Sequence, residues 1–154
     1  MIRRVRAVCQ RVSEARVTVD GALAGQIGAG LVVLLGIERG DREAEVERLA
    51  GKVARLRIFE DDEGKFDRSL VDVGGAALVI SQFTLIADTK KGNRPSFAAA
   101  ASAHEAEPLY QRFCEALAAA DVPVERGVFG ARMAVGLVND GPVTIILETP
   151  ATDE

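Results

Sequence analysis

The hydrophobic pattern changes period several times along the chain, and each change marks an element. Val5 to Val12 mixes apolar with basic residues and Arg16-Val17-Thr18-Val19 is β-branched, so both segments read as strand. Asp20-Gly21 supplies the positive-φ positions of a two-residue turn, and Ala22 to Ile27 is its return strand. Gly28-Ala29-Gly30 breaks the pattern. Leu31 to Ile37 is then apolar on both faces, as suits a strand covered on both sides. From about Asp41 to Leu56 the period is helical: Val46, Leu49, Ala50, Val53 and Leu56 share a face, with Glu43 and Glu45 in the first turn and Lys52 and Arg55 near the end.

Arg57-Ile58-Phe59 predicts a short strand, and Asp61 to Lys65 and Gly74-Gly75 predict turns. Ala76 to Phe83 predicts a second buried strand, followed by a polar, Pro-bearing loop from Ala87 to Ser96. A second helix covers roughly His104 to Ala120, with Leu109, Tyr110, Phe113, Cys114 and Leu117 on one stripe. Ser102 and Glu105 have capping-box spacing, but a start there puts Pro108 beyond the first four N–H groups. The pattern therefore favours a start near His104. Val122 to Glu125, Met133 to Asn139 and Val143 to Glu148 are closing strands. Two helices and about eight strands predict one mixed α/β domain, with curved sheets and the helices packed outside.

Composition agrees. With 154 residues, 48% of them hydrophobic and 27% charged, the chain suits one globular domain and excludes a disordered segment. The most apolar run, Leu31 to Ile37, is far shorter than the ~20 residues a membrane span needs. Arg3, Arg4 and Arg6 stand where a signal peptide would be apolar, so the expected location is the cytoplasm. Two cysteines and one histidine make neither a disulfide framework nor a zinc cage, and no metal or cofactor is expected. The net charge of −4 argues against nucleic acid, yet Arg3, Arg4, Arg6, Arg11 and Arg16 face only Glu14, and Lys90, Lys91 and Arg94 face only Asp88. Phosphate binding depends on the local field, because charges beyond about 8 Å are screened.

Candidate chemistry is sparse. Ser81, Thr84 and Ser96 are possible hydroxyl nucleophiles, but a hydroxyl needs a base, and the one imidazole, His104, lies on an alanine- and glutamate-rich helix start with no carboxylate to orient it. Cys9 and Cys114 sit in apolar periodic contexts and read as core. Gly28-Ala29-Gly30 precedes a strand and is a turn, not a dinucleotide fingerprint. Two segments stand out. Ser81-Gln82-Phe83-Thr84-Leu85 puts polar groups at the end of an apolar strand, where they can be aimed into a pocket. Asn139-Asp140-Gly141-Pro142-Val143-Thr144 lies between two predicted strands; it reads equally as a hairpin turn or as a backbone device built on Gly before Pro.

Together with Gln10-Arg11-Val12, Ile27-Gly28-Ala29-Gly30-Leu31, Leu34-Leu35-Gly36, Arg57-Ile58-Phe59, Gly92-Asn93-Arg94-Pro95-Ser96-Phe97 and Leu109-Tyr110-Gln111-Arg112-Phe113, these two segments resemble the D-aminoacyl-tRNA deacylases over nearly the whole chain. The set is specific in its order and spacing. The resemblance implies a barrel-like core with two main helices outside, in a domain spanning residues 1–148 before an acidic tail at 149–154. It implies a homodimer that hydrolyses the ester between a D-amino acid and the terminal adenosine of tRNA, and that also clears glycine mischarged onto tRNA(Ala). It further implies a cis Gly141-Pro142 reaching into the partner's active site, with Asn139 in the same selectivity motif. Ser81, Gln82, Phe83 and Thr84 would line the opposite wall, Met133 would sit beside them, and a buried Arg11 would hold the Gly-Pro loop.

Two mechanisms are open for the ester. Thr84 could form an acyl-enzyme, or the adenosine 2′-hydroxyl could help activate water while N–H groups near Phe83 and Thr84 stabilise the oxyanion. The lack of a base beside Thr84 favours the second. Lys90, Lys91 and Arg94 are the candidates for tRNA phosphates, by charge and loop position. The alternatives are an RNA-binding module without catalysis, for which 5% aromatic residues and no Trp are a poor basis, and a small-molecule esterase.

Overall fold

The computed structural model describes residues 4–150. A six-stranded sheet is built on one long strand, β1 (Arg4–Val19). Its turn at Asp20-Gly21, with φ of 51° and 80°, leads into β2 (Ala22–Ile27), and β3 (Gly30–Gly36) pairs antiparallel with the first half of β1. Then follow α1 (Glu43–Arg55), a hairpin of β4 (Phe59–Glu60) and β5 (Phe66–Arg68), a one-turn helix α2 (Leu70–Val73), β6 (Ala76–Ser81), α3 (Ala103–Ala119), β7 (Val124–Arg126) and β8 (Ala134–Pro150). The order is β2-β1-β3-β6-β7, with β8 on the other edge of β1; β3-β6 and β6-β7 are parallel. The sheet curls until β2 meets β7: a Cβ on Gly25 would lie 2.7 Å from the Arg126 carbonyl oxygen. The result is a nearly closed, barrel-like sheet with helices outside.

This curvature explains the two-faced apolar run in β3. Leu31, Val33 and Leu35 face α1 and α3, packing among Val46, Leu49, Val53, Phe113 and Leu117. Val32 faces the barrel interior with Val12, Val17, Leu78 and Ile80, so successive side chains meet different halves of the core.

Several expectations change, the short strand predicted at Arg57-Ile58-Phe59 among them, which forms at Phe59–Glu60 instead. The strand predicted over Ala76 to Phe83 ends at Ser81, because Phe83–Ile86 winds into a 3₁₀ turn. The second helix starts at Ala103, one residue before His104. The Ser102 hydroxyl accepts from the Glu105 N–H at 3.3 Å, and buried Ala106, Tyr110, Phe113, Cys114 and Leu117 outweigh the hydrogen bond that Pro108 cannot make. Residues 134–150 form one strand, so Asn139 to Thr144 is not a hairpin turn. The third helix, α2, is capped by Ser69 and Asp72, a signal too short to show in the hydrophobic pattern. Strand β8 extends to Pro150; Arg3 and the tail residues 151–154 lie outside the described residues. No described helix is long and apolar enough to cross a membrane.

Candidate active site

The carboxyl end of β6 opens into a cavity of about 430 Å³. Ser81, Gln82, Phe83 and Thr84 form one side, and Met133 and Phe129 line it as well. Ala101, just before α3, and Ala103 and Ala106, in its first turns, line it with nothing larger than a methyl group, which keeps the space open. The polar residues are held in place by the strand they leave. The Gln82 N–H donates to the Leu35 carbonyl at 2.8 Å, extending the ladder one step past β6 before the 3₁₀ turn closes with Leu85 N–H to Gln82 carbonyl at 3.2 Å. Gly36 lets this turn sit directly on β3, for a Cβ there would lie 2.9 Å from Leu85 Cβ. Arg6 Nη1 donates to the Leu85 carbonyl at 2.7 Å and ties the far end of the turn.

Among the described residues, none that lines the cavity carries an ionisable side chain. The first N–H groups of the turn, at Phe83 and Thr84, have no carbonyl within it to donate to, as at the start of any such turn. The site therefore offers main-chain donors, the Ser81 and Thr84 hydroxyls, the Gln82 carboxamide and otherwise neutral walls. Among the described lining residues there is no general base.

The other candidates lie elsewhere. His104 is exposed and outside the cavity lining. Cys9 and Cys114 are buried, and desolvation pushes their thiols up to about 12 and about 11, so both are protonated at neutral pH. Ser96 shares two backbone hydrogen bonds of 2.8 Å with Asp88, closing the base of the loop that displays Lys90, Lys91 and Arg94 to solvent. The Phe97 ring packs edge-on to Phe83 at 5.1 Å and joins that loop to the cavity rim. Among the described residues, no cluster of three or more His, Cys, Asp or Glu could hold a metal ion.

Asn139, Gly141 and Pro142 are exposed and absent from the cavity lining of their own chain. The Gly141-Pro142 peptide bond is cis. Arg11 is buried, and its Nε donates to the Asp140 carbonyl at 3.0 Å. The structure thus gathers Ser81, Gln82, Phe83, Thr84 and Met133, but leaves Asn139, Gly141 and Pro142 facing solvent. Sequence reasoning missed Phe129 and the small residues at the start of α3. The run of alanines from Ala98 to Ala101 was the available signal.

The sequence profile of the D-Tyr-tRNA(Tyr) deacylases matches residues 8–148. A D-aminoacyl-tRNA deacylase of Thermomicrobium roseum is 61% identical over 145 residues, covering 94% of each chain. One from Ruegeria pomeroyi is 58% identical over 144 residues, covering 94% of this chain and 99% of its own. Among solved structures, the c-Myc DNA Unwinding Element Binding Protein superposes with a TM-score of 0.88 at 44% identity, covering 95% of this chain and 99% of that one.

Proposed function

The chain belongs to the D-Tyr-tRNA(Tyr) deacylase family, and from that premise we propose how it hydrolyses D-aminoacyl-tRNA and spares the L form. The observation that carries the reading is the cavity at the end of β6, where Ser81-Gln82-Phe83-Thr84 meets Met133 without any ionisable side chain. An aminoacyl ester is already labile, so positioning and main-chain donors can supply much of the remaining acceleration. The ester carbonyl lies against the Phe83 and Thr84 N–H groups, and the 2′-hydroxyl of the terminal adenosine helps activate water. The neutral lining favours this route over a Thr84 acyl-enzyme, whose proton would have no acceptor.

Handedness is sensed by main-chain atoms of Gly141 and Pro142 supplied by a second copy of the chain. Two observations support a homodimer: these residues do not line their own cavity, and the edge of β8 away from β1 has no neighbouring strand among the described residues. Exposed Val135, Val138 and Ile146 lie along the same strand. Main-chain contacts to Cα substituents exclude an L side chain by occupying its space, while leaving the identity of a D side chain unread. Glycine, with no side chain to exclude, is a substrate on the same grounds, including glycine mischarged on tRNA(Ala). Asn139 and Arg11 shape the Gly-Pro segment, and Lys90, Lys91 and Arg94 take phosphates of the acceptor end. The enzyme acts where aminoacyl-tRNA is used, in the cytoplasm.

The test is release of D-tyrosine from D-tyrosyl-tRNA, with a free D-tyrosine ester in parallel. Turnover of the tRNA substrate is the expected result. Turnover of the free ester alone would mean a small-molecule esterase, and binding of tRNA without release would mean an RNA-binding protein.

A further inference from the structure

Strand β8 leaves its partner just where Gly141 and Pro142 lie. Gln10 pairs with Thr144 and Val12 with Asn139, so residues 140–143 bulge opposite a single residue, Arg11. Arg11 meets that bulge through Nε, which donates to the Asp140 carbonyl at 3.0 Å and lies 3.6 Å from the Asp140 carboxylate. Both Nη atoms reach the β4–β5 hairpin, and Nη2 also abuts the bulge, 3.3 Å from where a Cβ on Gly141 would stand. Nη1 donates to the Ile58 carbonyl at 2.8 Å, just before β4, and Nη2 to the Glu60 carboxylate at 3.1 Å. The Phe66 ring centre, on β5, is 5.6 Å from Cζ. A guanidinium is planar and rigid, so whatever holds Nη1 and Nη2 also fixes the direction in which Nε–H points.

We propose that the β4–β5 hairpin, through Glu60 and Phe66, sets the position of the 140–142 backbone and thereby the stringency with which L substrates are rejected. The inference rests on the reading of Gly141 and Pro142 as the selective segment. Two carboxylates compete for one buried cation. Glu60 draws it toward the hairpin, which is independent of the bulge, and Asp140 draws it toward the bulge itself. With Glu60 removed, only the Ile58 carbonyl still holds the guanidinium from the hairpin side, and the carboxylate left against Arg11 belongs to the segment being positioned, so the cation anchors the bulge less firmly. Phe66 limits the same motion by lying against the guanidinium. Glu60 and Phe66 are positioning residues; neither lines the cavity.

The experiment compares wild type, Glu60→Ala, Glu60→Gln and Phe66→Ala for kcat/KM on D-tyrosyl-tRNA and L-tyrosyl-tRNA, with Tm measured alongside. Glu60→Ala is expected to lower the D-over-L ratio about tenfold, mainly by raising hydrolysis of the L substrate, while kcat on the D substrate stays within about twofold. Glu60→Gln, which keeps an acceptor oxygen, is expected to lower the ratio about threefold, and Phe66→Ala by a similar amount. Should Glu60→Ala not fold, the near-isosteric Glu60→Gln decides. Ratios equal to wild type in the folded variants, whatever happens to Tm, overturn the proposal. Wild type that releases no D-tyrosine overturns the deacylase mechanism instead, so the two failures are distinguishable.

Discussion

Thr84 places its hydroxyl on the 3₁₀ turn at the cavity wall, and its surroundings determine what it can do. It stands on an exposed turn, and no ionisable side chain among the described residues lines the cavity to take its proton. Thr84→Ala is therefore expected to keep kcat within about tenfold of wild type, whereas a substrate ending in 2′-deoxyadenosine loses at least about a hundredfold, measured as single-turnover rates. The opposite pattern would make Thr84 the nucleophile. The buried thiols give a second prediction. The folded state holds the Cys9 proton to about 12, while the unfolded chain releases it near the ordinary thiol value of 9.0. This stabilisation is complete below pH 9 and is lost as pH rises toward 12, by about 1.4 kcal/mol per pH unit for that group. Cys9→Ala is expected to flatten the fall of Tm between pH 9 and about 10.5; an unchanged slope would contradict it. At this scale the sequence exposed Ser81 to Thr84, because polar groups ending an apolar strand break its pattern. It could not expose Glu60 or Phe66. Their meaning comes from Arg11, some fifty residues earlier, and that proximity exists only once the hairpin folds against β1.

Elements were legible wherever burial follows one period. The α1 stripe and the apolar run of β3 were plain for that reason, and the Asp20-Gly21 turn was equally plain from its two positive-φ residues. Legibility failed where a local rule met a tertiary contact. Pro108 argued for a late helix start, yet the Ser102 cap and the buried stripe carry α3 through it. Asn139 to Thr144 read equally as a turn or as a backbone device, because a bulge within one strand and a hairpin between two use the same residues. Only the pairing of β8 with β1 on both sides of the segment separates them. The cap is testable. Ser102→Ala removes the acceptor for the Glu105 N–H and is expected to destabilise the fold by about 1 kcal/mol in urea titration, with little change in the m-value. A destabilisation below about 0.3 kcal/mol would mean the helix is held by its buried stripe alone.

For the whole molecule, charge and edges decide how it meets other molecules. The net charge is −4, so tRNA must be drawn by a local field, and the loop bearing Lys90, Lys91 and Arg94 starts directly after the turn that carries Thr84. Replacing all three by Ala is expected to weaken tRNA binding and to reduce the slope of log Kd against log salt by about one for each phosphate no longer neutralised. An unaltered slope would place the tRNA elsewhere. Selection by hand is the property on which the cavity, the Gly-Pro segment and the proposed twofold pairing converge. It is measured directly as kcat/KM for D-tyrosyl-tRNA over L-tyrosyl-tRNA with the wild-type protein. A ratio of at least about a hundred is expected from a site that excludes the L side chain with rigid main-chain atoms. Equal rates on the two substrates would contradict it.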